Sequence, residues 1–156
     1  RTQLTRAERF PEAERVVALE GGDATELGIH AEDAVVVMTH SYEQDREILA
    51  SVLPVAPRYL GLLGARHRSS LLISEAAAMA GMSVAECCGR VLAPVGLDLG
   101  GDGPEAIALA VMAEVQAVCM GKMDAVRRLS AEDVERYVAE GGASRYLQVQ
   151  CALDEG

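Results

Sequence analysis

Unbroken apolar runs alternate along this chain with segments whose apolar residues recur every three or four positions. The clearest run covers residues 34–39, Ala-Val-Val-Val-Met-Thr. It is continuous and β-branched, the pattern of a strand buried on both faces in a parallel sheet. A shorter run at 16–19 stops at Gly21-Gly22, another covers 59–63, and a weaker one covers 91–93. Helical periodicity fills the gaps. Ser41 is placed to cap a helix, with Gln44 three residues on, and Ile48, Leu49, Val52 and Leu53 form its apolar face before Pro54 and Pro57 end it. Residues 69–80 predict a second helix closed by Gly81, and 83–88 a short third one. Pro104 opens a long fourth helix to about Met120, with Ile107, Val111, Val115 and Val118 as its expected buried stripe. Further on, Ser130 caps an expected helix through Ala139, Gly141-Gly142 breaks it, and residues 145–151 alternate like an edge strand.

Strands alternating with helices predict an α/β fold with a parallel sheet and flanking helices. Composition supports this reading. Half of the 156 residues are apolar but only 3% are aromatic, so the core must be aliphatic. The formal charge of −10 argues against nucleic acid as a partner, since phosphate binding needs clustered Lys and Arg. No apolar run reaches the roughly 18 residues of a membrane span, and no secretory leader opens the sequence. The four cysteines, Cys87, Cys88, Cys119 and Cys151, make no CxxC pair and have no His at zinc-ligand spacing. They read as small buried hydrophobes in a reducing cytosol.

In open α/β sheets ligands bind beyond the carboxyl ends of the strands, and three stretches meet that criterion. The first is Thr39-His40-Ser41 with Asp45 one helical turn on, where His40 could donate, accept or bind metal. The plain alternative is a polar strand end followed by a capping serine. The second is 61–69, Gly-Leu-Leu-Gly-Ala-Arg-His-Arg-Ser. Gly61 and Gly64 permit a tight turn, a helix start offers free N–H groups, and Arg66 and Arg68 add bidentate donors, the parts of an anion site. It matches neither a Walker A loop nor GxGxxG. The third is 94–105, Pro-Val-Gly-Leu-Asp-Leu-Gly-Gly-Asp-Gly-Pro-Glu, where Asp98, Asp102 and Glu105 make a polar wall or cation contact. There Glu105 also suits the first turn of a helix for dipole reasons alone.

In this order and spacing, Thr39-His40, Asp45, the run from Tyr59 through Gly61 and Gly64 to Arg66, and the turn carrying Gly96, Asp98 and Gly100 before Pro104-Glu105 resemble the C-terminal Rossmann domain of XdhC/CoxI proteins. Residues 8–11, Glu-Arg-Phe-Pro, resemble the stretch after that domain's second strand. The likeness covers about residues 1–120, leaving 121–156 as a helical and strand extension. It implies a cytoplasmic Rossmann-like domain whose first strand–loop–helix is missing, so that an upstream segment or another copy in a homo-oligomer fills the sheet gap, or the fold rearranges. It also implies a non-catalytic accessory protein that binds molybdenum cofactor and aids its sulfuration and insertion into a xanthine dehydrogenase-type apoenzyme. Under the same resemblance, His40, Asp45, Gly61, Gly64, Arg66, Arg68, Gly96, Asp98, Gly100 and Glu105 are the candidate cofactor-binding residues. Ala65 stands where that family usually has Ser, and Ala106 replaces a frequent second acid after Glu105. A nicotinamide dinucleotide, NAD(P), is the alternative ligand for an oxidoreductase of this fold, and a partner-binding remnant without any ligand is a third reading.

Overall fold

A computed structural model describes residues 7–19 and 21–123. The strand run of 34–39 forms β1, Ala34–Val37, and the run of 59–63 forms β2, Tyr59–Leu62. They pair in parallel, with Ala34 opposite Tyr59 and Val37 opposite Leu62. Beyond β2, Leu92 continues the ladder as a single parallel bridge to Gly61, its N–H donating to the Leu60 carbonyl at 2.8 Å. Among the described residues no strand lies on the other side of β1. Residues 16–19 are not a strand: with no hydrogen-bonded neighbour among the described residues, four apolar residues cannot hold a ladder, and Val17 stays exposed.

The connections are helical, as a parallel crossover requires. Helix α1 is Tyr42–Val52, capped by Ser41, whose hydroxyl oxygen accepts the Gln44 N–H at 3.4 Å. Helix α2 is Arg66–Ala80 and ends on Gly81 in the left-handed region at φ 66°. Helix α3, Val84–Cys88, opens with a reciprocal capping box between Ser83 and Glu86. Helix α4 is Pro104–Cys119.

Side chains alternate across a strand, so Leu60 and Leu62 face one way and Tyr59 and Gly61 the other. Leu60 and Leu62 join Val37, Leu49, Val52, Leu53, Leu72, Ile73, Ala76 and Ala77 in one aliphatic core under α1 and α2. On the opposite face α4 leans on β2 through a buried pair: the Tyr59 hydroxyl donates to the Glu114 carboxylate at 2.6 Å. Of the expected apolar stripe of α4, Val111, Val115 and Val118 are half-buried and Ile107 is exposed. Ile107 is 46% exposed at the start of the helix, Leu109 and Met112, outside the stripe, are 64% exposed, and Glu114 is the buried residue of this helix. Apolar residues surround nearly the whole of α4, and periodicity found the inward side from Val111 on but not the carboxylate buried there. The extension expected at 130–151 lies outside the described residues.

Candidate functional site

The carboxyl ends of β1 and β2 open into a cavity of about 190 Å³ lined by Met38, His40, Leu63, Gly64 and Arg68. One carboxylate organises its rim. Asp45, fully buried in the first turns of α1, accepts the Thr39 N–H at 3.0 Å and the Thr39 hydroxyl at 2.7 Å through Oδ1. Its Oδ2 accepts from Arg68 Nη2 at 2.6 Å. The end of β1, the start of α1 and the start of α2 are thus tied at one point. Arg68 also stacks over the Tyr42 ring, 5.8 Å from its centroid. Both contacts use up side-chain entropy in advance, so the remaining guanidinium donors are held still at the cavity wall.

His40 has φ 64°, a left-handed backbone that is uncommon for a residue with a side chain. Such a conformation persists only where its surroundings enforce it. Here Thr39 and Ser41 do so: the Thr39 hydroxyl accepts the Ser41 N–H at 3.2 Å on one side, and Ser41 caps α1 on the other. The result is an exposed imidazole beside Gly64 and Arg68, able to donate to an anion or to exchange a proton.

The structure separates residues that the sequence grouped. Arg66 and Arg68 are not loop residues, because α2 starts at Arg66 rather than at Ser69. Two positions along a helix lie on roughly opposite sides. Arg68 therefore faces the His40 cavity, while Arg66 lines a different one with Ser69, Ser70 and Cys88. Gly61 is in neither: it is buried under Tyr59 and Val95. Asp45 orients the rim from below without reaching the open space.

The glycine turn forms a third cavity of about 170 Å³, lined by Val95, Leu97, Asp98, Leu99, Gly100 and residues of α4. Asp98 and Gly100 belong to it, whereas Glu105 does not line it. Gly96 serves the fold, since a Cβ there would stand 3.2 Å from the Ala110 Cβ and 3.3 Å from the Val111 nitrogen. Its N–H donates to Glu114 at 2.9 Å. Glu114 went unnoticed in the sequence. The available signal was a single carboxylate in the middle of an otherwise apolar helix, which is buried only when partnered. Among the described residues no cluster of three His, Cys, Asp or Glu side chains could hold a metal ion.

Residues 1–115 match the protein family described as the XdhC Rossmann domain. The chain belongs to that family. This XdhC domain is 33% identical over 107 residues to a Bacillus subtilis (strain 168) protein described as a probable subunit of xanthine dehydrogenase, and the match covers 68% of the chain and 30% of the relative. It is 33% identical over 114 residues to the uncharacterized protein YqeB of Escherichia coli (strain K12), covering 71% of the chain and 20% of the relative. A crystal structure described as a xanthine dehydrogenase from Bacillus halodurans superimposes with a TM-score of 0.62 at 26% identity, over 86% of this chain and 37% of that one. The chain thus spans about a third or less of the curated relatives it matches. The Rossmann-type α/β fold and the family expected from the motifs are both found.

Proposed function

We propose that this XdhC domain works in the maturation of a xanthine dehydrogenase-type molybdoenzyme, binding the molybdenum cofactor as cargo and supporting its sulfuration and insertion into the apoenzyme, without turnover of its own. The observation that carries this reading is that His40 and Arg68 together line the cavity at the carboxyl ends of β1 and β2, in a chain of this family. An imidazole and a fixed guanidinium suit an anionic ligand group. At about 190 Å³ the cavity is smaller than the roughly 300–1,000 Å³ of pockets that enclose a whole ligand. It would seat the anionic end of the cofactor and leave the rest accessible for transfer.

Titration of purified molybdenum cofactor against the full chain and its His40→Gly variant tests this. Wild type binds, and the variant binds about tenfold more weakly, the loss of one charge-assisted hydrogen bond. The variant keeps or gains thermal stability, because glycine adopts φ 64° without a Cβ penalty. Equal affinity of the two proteins, or binding of NAD(H) or NADP(H) in place of the molybdenum cofactor, would overturn the reading.

A further inference from the structure

The face of α2 turned away from the His40 cavity borders a larger space. Arg66, Ser69, Ser70 and Ile73 of α2, Val84 and Cys88 of α3, and Val91 and Ala93 line a half-open cavity of about 440 Å³. This lies within the size range of small-molecule pockets, which the other two cavities do not reach. Its lining has a definite chemistry. Ile73, Val84, Val91 and Ala93 supply apolar walls, and among the described residues no carboxylate lines it. The Ser70 hydroxyl already donates to the Arg66 carbonyl at 2.8 Å, and the Ser69 hydroxyl is directed at the Gly64 carbonyl at 3.5 Å. The guanidinium of Arg66 is therefore the charged group left to meet a ligand.

Arg66 is also uncommitted among the described residues. Among the described residues Arg46 pairs with Glu75 and Arg68 with Asp45, but no carboxylate lies within ion-pair distance of Arg66. In a chain with 24 acidic and 14 basic residues, an arginine on a partly apolar cavity with no ion-pair partner among the described residues leaves a local excess of positive charge. A cation would be repelled there, and a neutral apolar molecule would leave the guanidinium unused.

We propose that this α2–α3 cavity is a second ligand site, for a small organic oxyanion carried on an apolar body, with Arg66 as the anion contact and Ile73, Val84, Val91 and Ala93 around the body. A carboxylate and a phosphate ester share this chemistry. The site stands apart from the His40 cavity and does not depend on molybdenum cofactor binding.

Cys88 provides the reporter. Its side chain is exposed at the cavity, while adjacent Cys87 is fully buried, and burial pushes the Cys87 thiol up and out of reaction. The rate of Cys88 alkylation by N-ethylmaleimide is measured on the full chain by peptide mass spectrometry, with benzoate, phenyl phosphate or uncharged benzyl alcohol present. Benzoate, phenyl phosphate or both slow labelling in proportion to 1 + [L]/Kd, and which of them does so identifies the oxyanion. Benzyl alcohol protects less. Arg66→Gln weakens the protection about tenfold, whereas Arg58→Gln, an exposed arginine outside the cavity, leaves it unchanged. Absence of protection by both anions at millimolar concentration, or protection that survives Arg66→Gln in full, overturns the proposal.

Discussion

Gly61 sits beneath the ring of Tyr59, two residues away on the same face of β2. A Cβ added there would stand 2.5 Å from Val95 Cγ2 and 2.8 Å from the Tyr59 hydroxyl oxygen. Neither neighbour can retreat freely. Val95 is buried, and the hydroxyl is held by Glu114. Gly61→Ala is therefore expected to cost about 1–3 kcal/mol, the range for overpacking a core, measured by urea unfolding. Val95→Ala in the same chain should recover part of the loss, a coupling that a double-mutant cycle resolves. A Gly61 that served only backbone approach to a ligand would tolerate alanine with its stability unchanged. The residue was legible in the sequence as a position needing glycine, but not the reason. Glycine in a strand signals close approach, and whether a ligand or a tyrosine ring approaches depends on contacts far along the chain. Asp45 is a similar case. Its place one turn after His40 was legible, but not that its carboxylate is spent on Thr39 and Arg68.

Helix α2 shows where local rules lose to packing. Ser69 looks like a cap, and Ala65 does not, because alanine has no side-chain acceptor for the free N–H groups of a first turn. Yet the helix begins at Arg66, with Ala65 at the cap position and Ser69 buried within the first turn. Arg66 and Arg68 add positive charge at the positive end of the helix dipole. What holds this turn is tertiary: Arg68 is clamped to Asp45, and Ser69, Leu72 and Ile73 are buried. The cap is accordingly a place where stability can be added. Ala65 has φ −64° and ψ 148°, the extended backbone that a capping serine adopts. Ala65→Ser is expected to raise stability by about 0.5–1 kcal/mol, seen as a higher urea midpoint at unchanged m-value. A midpoint at or below wild type would mean that the first turn is already satisfied by its surroundings. Element existence was thus readable from periodicity, and the boundary three residues earlier was not.

At the scale of the molecule, alternating aliphatic runs and helices sufficed for a parallel α/β sheet, and ordered motifs for its family. The second face of the sheet was not legible. It depends on Tyr59 and Glu114, 55 residues apart, which join β2, the glycine turn and α4 through one carboxylate. This link has a consequence for the stability of the whole chain at alkaline pH. Burial first, and donation of the hydroxyl to Glu114 second, push Tyr59 above its ordinary value of 10.0. Below pH 10 the tyrosine is neutral in both states, and the contribution is fully present. As pH rises above 10, the unfolded chain releases this proton while the folded one keeps it, so stability falls toward the folded-state value by up to about 1.4 kcal/mol per pH unit. Tyr42, also raised by burial and by its bond to Glu75, adds to the slope. Tyr59→Phe should therefore be less stable than wild type at neutral pH by about 1–3 kcal/mol, since Glu114 loses a buried donor. It should then lose less stability than wild type between roughly pH 9 and 11, so that the two curves converge. Urea midpoints measured across that range would decide it, and parallel curves would show that the Tyr59 proton is not what ties α4 to the sheet.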